Sequence, residues 1–422
     1  MKLNNKLLRR LSLFCIIMQS IGIRFFGGFG IMMIIVIIFC NLRYLSRLKI
    51  SHQIFLLSII GIIITLCILK GFGIASIINL IATILATCLF LQNYQYKNAN
   101  FISDIKPILW FFSLYGFVSW CLLVIVPGIF TDIKMNLNYS TLPFIFINLG
   151  YNGDSIPRLS SLMWEPGCTQ FIINFLLIIL ISQKEQKSKI LFLIFLVLLT
   201  RSTTGYINLL IIALLYVKIN KINLAKVFIA GIFVFSIGLY SLLSNNITDK
   251  VANTSGIIRT RDMYVGYKLT KAYPLFGIDT QNLDKNPEAQ ALEDEIWGTK
   301  SWTNQFGYFA GGFTNGLFGV FLDYGLIIGL MLYWFTLKSP LIWDNRKLIN
   351  PYCFYAVYFC SLIGEPISRT TLFFMFALSY LIIFQKNSLF HRTVKNINKT
   401  SVIDSFPIKR LNHSNKNEVS YI

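Results

Sequence analysis

Three short stretches carry residue types that could act on a substrate. In RLSSLMWEPGCTQF, residues 158–171, an arginine, a tryptophan, a glutamate and a Pro-Gly pair stand at the mouth of a long apolar run. Proline suits the first position of a helix because it has no N–H to lose there. The residue before a proline is driven towards extended geometry. A helix is therefore expected to start at Pro166, with Glu165 just ahead of it. A carboxylate in that place either satisfies the helix N-terminus, with Trp164 as an interfacial anchor, or marks a functional site at membrane depth.

The second stretch is LTRSTTGYINLL, where Arg201 to Gly205 interrupt an apolar run. Ser202, Thr203 or Thr204 can cap the helix that follows, and Gly205 permits a tight turn. Such a turn also presents backbone N–H groups to a phosphate. The third is GIIRTRDMYVGYKLTKAYPLFGID, with Arg259, Arg261, Lys268 and Lys271 close together. A guanidinium grips phosphate oxygens with a planar fork that lysine lacks. A solvated basic face is the plainer reading of the same spacing. Tyr264, Tyr267, Tyr273, Trp297, Trp302, Phe306 and Tyr308 make the region aromatic, which suits sugar faces or a membrane interface. Asp323 lies inside an apolar run, while Glu365 and Arg369, four apart in GEPISRT, are expected to neutralise each other.

The elements that must hold these residues are membrane helices. The chain has 422 residues, 55% hydrophobic and only 13% charged, with mean hydropathy +0.63. Apolar runs recur from end to end without the alternation of barrel strands, which predicts an all-α polytopic integral membrane protein. The runs predict about twelve transmembrane helices, over 11–23, 25–42, 54–69, 74–94, 108–130, 161–182, 188–201, 205–217, 227–243, 315–337, 348–367 and 370–384. The first, seventh and eighth are short for a full crossing.

The net charge of +20 is spread over short loops and both ends, a pattern that reports orientation and argues against nucleic acid. With the N-terminus inside, every short inside loop is basic, so both termini are expected in the cytoplasm. The basic start, MKLNNKLLRRL, leads into a retained first helix because no small-residue cleavage site follows. This layout makes 1–384 a transmembrane domain with two large periplasmic segments, about 131–160 and 244–314. Residues 385–422 form a basic, polar tail. The eight cysteines show no CxxC pair or Cys/His cluster and read as core thiols. The three histidines, His52, His391 and His413, all fall inside by this topology, so no metal site and no histidine base is expected on the outer face.

The motifs MWEPG, STTGY, an arginine ahead of YPLFGID, and FTNGLFGVFLDYGLIIGL together resemble those of the Wzy-type O-antigen and capsular polysaccharide repeat-unit polymerases, over about 158–337. The resemblance implies a GT-C-like fold in the bacterial inner (cytoplasmic) membrane. It implies a metal-independent membrane glycosyltransferase, without cofactor, that joins undecaprenyl-diphosphate-linked oligosaccharides on the outer face. Membrane lipid and a chain-length regulator protein are the implied partners. Glu165 is then the acceptor's general base or its orienter. Arg158, Arg201, Ser202, Thr203, Arg259, Arg261 and Asn315 bind substrate, with Arg158 holding phosphate or positioning Glu165. The related O-antigen ligases use a histidine in the large outer loop, where AGGFTNGL has none, which favours polymerase over ligase. A polysaccharide flippase or other secondary transporter is the rival class. It should line a central cavity with charge, whereas here the charges collect at one face.

Overall fold

The computed structural model describes residues 4–23, 28–47, 58, 61–62, 64–70, 72–97, 99–134, 138–142, 146–149, 157–220, 254–297, 308–309 and 312–383. The expected span 227–243, part of 54–69, the tail, the three histidines, Trp302 and Phe306 lie outside the described residues.

Helices dominate: α1 (Asn5–Ile21), α2 (Phe29–Asn41), α3 (Ile74–Lys97), α4 (Phe101–Ile125), α5 (Pro166–Ser182), α6 (Lys187–Leu199), α7 (Thr203–Asn220), α8 (Thr254–Ala272), α9 (Pro287–Trp297), α10 (Gly316–Tyr324), α11 (Leu326–Leu337), α12 (Pro351–Leu362) and α13 (Thr371–Ile383). Among the described residues, three helices are long and apolar enough to cross a membrane: Ile74–Gln95, Phe101–Ile125 and Leu326–Trp343. Shorter apolar helices run over Phe29–Leu45, Pro166–Ser182, Thr203–Ile219 and Thr371–Ile383.

The centre of the bundle is α5. Every residue from Pro166 to Ile181 is buried, as a helix that is apolar all round must be. Helices α4, α6, α7 and α12 pack around it. Aromatic contacts such as Phe175 with Phe354, at 4.8 Å between centroids, fill the seam with α12. On the other side α1 packs on α2 and α4, where Phe14 stacks on Phe112 at 5.2 Å.

Helix α4 starts seven residues before its apolar run. The sequence places the span at 108, yet the helix opens at Phe101 behind an Asn100 cap. Its charged first turns are satisfied by partners. Asp104 accepts from Arg9 Nε at 2.7 Å, and Lys106 Nζ reaches Glu185 at 2.9 Å. Pro107 cannot bond the Ser103 carbonyl, and Arg10 Nη2 donates to that oxygen instead, at 3.4 Å.

Two departures from the expected pattern bear on the site. The segment 131–160, expected outside, adds strands to an otherwise helical chain: β1 (Thr131–Lys134), β2 (Asn138–Leu142) and β3 (Phe146–Leu149) form an antiparallel meander, with Thr131 opposite Thr141 and Tyr139 opposite Leu149. The expected span 315–337 is two helices, α10 and α11, broken at Gly325 with φ +79°. The break lets the chain after α8 dock: Leu326 N donates to Pro274 O and Ile278 N to Leu322 O, both at 2.7 Å. A side chain at Gly325 would meet the Leu275 carbonyl, so both the backbone angle and the close approach call for glycine.

Candidate functional site: a carboxylate pair and an arginine at the mouth of the central helix

Helix α5 begins at Pro166 with Glu165 as its extended N-cap residue, φ −141° and ψ 153°. The Glu165 side chain makes no capping hydrogen bond to the helix. The plain capping role is therefore not the geometry adopted. Instead, Glu165 faces a second carboxylate, Glu365, in the turn between α12 and α13. A Cβ placed on Gly167 would collide with Glu365 Oε1 and would lie 3.7 Å from Glu165 Oε2. Gly167 thus leaves the gap through which the two carboxyls approach. Glu365 is only 4% exposed, and the Cys168 thiol donates to its Oε2 at 3.0 Å. So Cys168 is more than a core thiol.

The pair Glu365 and Arg369 does not form. Pro366 follows Glu365, and the segment is a turn rather than the helix that would make an i,i+4 pair neighbours. Arg369 Nη2 goes to Asp279 at 2.7 Å and Asp323 at 2.6 Å, with its guanidinium 4.6 Å over the Phe72 ring. The cation near Glu365 is Arg259 of α8. A Cβ on Gly364 would lie 3.5 Å from both Arg259 Cζ and Nη2, and 3.6 Å from Thr204 Oγ1 of α7. Burial and then the facing Glu165 charge push the Glu365 carboxyl well above the usual carboxylate range, and the Cys168 hydrogen bond, Arg259 and Arg158 only partly oppose them.

Arg261 is turned the other way. Residues two apart on a helix point roughly 200° apart, so Arg259 and Arg261 serve opposite faces of α8. Arg261 is fully buried, with Nε on Asp262 at 2.9 Å, Nη1 on Glu293 at 3.0 Å and Nη2 on the Gly312 carbonyl at 2.6 Å. Its guanidinium lies 4.8 Å from the Phe309 centroid, beside a small apolar core of Val265, Leu269, Ile278, Leu283 and Leu322. The fork of Arg261, expected to grip a diphosphate, is held in this structure by protein groups. Among the described aromatics of this segment Tyr267 is exposed, while others are tied to acids. Tyr264 donates to Glu295 at 2.8 Å and Tyr308 to Asp294 at 2.9 Å.

The remaining expected residues divide in the same way. Arg158 is half-buried; its Nε donates to Thr200 O at 3.1 Å and its Nη2 to Arg201 O at 3.3 Å, tying the approach to α5 to the turn after α6. Arg201 is in the left-handed region, φ +50°, a strained conformation for a residue with a side chain. Ser202 is buried and accepts from Gly205 N at 3.4 Å, so it caps α7. Thr203 is the first, half-buried residue of that helix. Asn315 is a buried cap of α10, its side chain accepting from Phe318 N at 3.0 Å; that oxygen is committed to the helix end and not to a ligand.

The positioning is rigid from both sides. Asn148 of β3 donates to Arg158 O at 3.1 Å and accepts from Ser160 N and Oγ at 3.0 and 2.9 Å. The sheet is itself held on α4, where Ser119 Oγ donates to Ile147 O at 3.0 Å and Trp120 Nε1 to Pro157 O at 2.7 Å. Trp164 N donates to Ile21 O at 3.2 Å. Below the site, Gln170 of α5, Asn208 of α7 and Ser361 of α12 share a buried network: Asn208 Nδ2 reaches Gln170 Oε1 at 3.1 Å and Ser361 Oγ at 3.0 Å. It locks the three helices whose upper ends carry Glu165, Thr204 and Glu365.

The apolar helices are those of a membrane protein. No family model matches the chain, and neither a curated protein nor a solved structure matches it.

Proposed function

We propose that the protein is a many-span, GT-C-like membrane glycosyltransferase, with about twelve crossings and both termini in the cytoplasm. It joins undecaprenyl-diphosphate-linked oligosaccharide repeat units into a polysaccharide, of the O-antigen or capsular kind, on the outer face of the bacterial inner membrane. A hydroxyl of one lipid-linked unit attacks the anomeric carbon of the growing glycan. The new C–O bond forms as the bond from that carbon to the diphosphate breaks. Undecaprenyl diphosphate departs with the electron pair, and the hydroxyl proton passes to the Glu165 carboxylate. Arg259 faces the charge that builds on the leaving diphosphate, and Arg158 braces the segment that carries Glu165.

The observation that carries this reading is the mouth of α5. A carboxylate that does not cap its own helix stands there with Arg259 close to its partner Glu365. A base for a hydroxyl and a cation for a phosphate are the two groups this reaction requires. The test is Glu165→Gln, which keeps size and removes the proton acceptor. Purified protein is given lipid-linked repeat units and product length is scored. Turnover should fall about 100- to 10,000-fold with unchanged thermal stability. Turnover within about fivefold of wild type, a difference of about 1 kcal/mol, rejects the base role.

One feature favours a transporter instead. Helix α10 ends at a break, and Lys70 Nζ donates to its terminal carbonyls at Leu322 and Asp323. Broken helices with a cation on the carbonyl end occur in carriers. Passage of lipid-linked glycan across a vesicle membrane, without growth in chain length, would select that reading.

A further inference from the structure

We infer that Glu365 is the positioning partner of Glu165: the two carboxyls hold one proton between them, Glu365 carries it, and Glu165 therefore remains the ionised base while Arg259 remains available to an anionic group. This rests on the reading of Glu165 as a base, and it adds a residue whose sequence context points only to an ion pair with Arg369.

The geometry carries it in three steps. First, the two carboxyls converge on one small gap at Gly167, on the first turn of α5. Two carboxylates crowded into a site shielded from water do not both ionise. Second, the pair is unequal. Glu365 is 4% exposed, whereas Glu165 is half-buried, so the charge stays on Glu165, where water still reaches, and the proton on Glu365. Third, the surroundings do not provide Glu365 with a tight counter-ion. The charged and titratable groups that act on it are Glu165 at the cap of α5, Cys168 from α5, Arg259 from α8 and Arg158 from the segment before α5. The thiol of Cys168 is its one hydrogen-bonding side chain among these. Thr204 of α7 and the Gly316 backbone of α10 complete the wall, and Arg369 is held away by Asp279 and Asp323. Were Glu365 ionised, it would draw the neighbouring Arg259 into an ion pair and neutralise the cation that a diphosphate needs.

The sign of the pH effect follows. A carboxyl held above its unfolded value binds its proton more tightly in the folded protein. Its contribution to stability is full below the ordinary carboxylate range and is lost as pH rises through the raised folded value.

The experiment uses the full-length purified protein and separates this inference from the polymerase reading. Thermal unfolding without substrate, from about pH 5 to 9, should show a melting temperature that falls towards alkaline pH in the wild type and a flatter curve in Glu365→Gln. Infrared spectra should show a protonated carboxyl band at neutral pH that Glu365→Gln removes. If that variant does not accumulate, Glu165→Gln serves: with the partner charge gone, the acid band of Glu365 should disappear at a lower pH than in the wild type. With lipid-linked repeat units, turnover should fall on the alkaline side in the wild type, and Glu365→Gln should lose that fall. A pH–stability curve and an acid band that neither variant alters overturn the shared proton. An absence of polymer from the wild type, with both substrate-free results as expected, overturns the polymerase reading and leaves the pair intact.

Discussion

The most exacting test of the site's geometry is one methyl group. In Gly167→Ala the new Cβ falls on Glu365 Oε1 and beside Glu165 Oε2. Glu365 has little room to yield, because Gly316 of α10 closes on its backbone carbonyl and Cys168 holds the far oxygen. An extra methylene group in a packed site costs about 1–3 kcal/mol. Alanine for glycine in a helix returns at most about 1 kcal/mol. The net change in stability is therefore small, about 0–2 kcal/mol of loss. The displacement of the carboxyl is what matters: about 1–2 kcal/mol of lost transition-state stabilisation lowers turnover roughly 5- to 30-fold. Gly30→Ala in α2 is the control, since its Cβ meets nothing within 4 Å and it should leave turnover untouched. The assay is turnover on lipid-linked repeat units beside melting curves at several pH values. A Gly167→Ala protein with turnover within about twofold of wild type, and the same pH–stability curve, would refute the placement of the two carboxyls at that gap.

The other expectations concern the arginines. Removing Arg261 as Arg261→Met strands two buried acids, Asp262 and Glu293, and should cost about 3–5 kcal/mol, read as a lower melting temperature and protease cleavage within 254–297. Arg259→Lys should shift stability by no more than about 0.5 kcal/mol yet lower turnover, because the planar fork is lost while the charge is kept. Equal melting and turnover profiles for the Arg259 and Arg261 variants would break the division of α8 into two faces. Arg369→Met should destabilise by a similar several kcal/mol, about 3–5, through Asp279 and Asp323; a neutral result by melting would show that the pair does not fasten the chain after α8 to α10.

Much of this molecule is legible in the chain. Long apolar runs fix helices because backbone polar groups away from water must be satisfied within the segment. Pro166 fixes where α5 begins, since its missing N–H fits only a helix start, and this puts Glu165 at the mouth before any packing is considered. Ser202 as a cap follows from local chemistry in the same way. Glu365 is different, because spacing alone pairs that residue with Arg369. What the tertiary structure decided is which charges meet. Glu165 and Glu365 are 200 residues apart, and they converge only because α5, α7 and α12 are locked by Gln170, Asn208 and Ser361. Arg259 and Arg261 have the same chemistry and nearly the same position, and only the helix face separates the one beside the site from the one inside a core. Periodicity and proline act over a few residues and are written locally. Electrostatic partnership acts across space, so it exists only once the helices have packed.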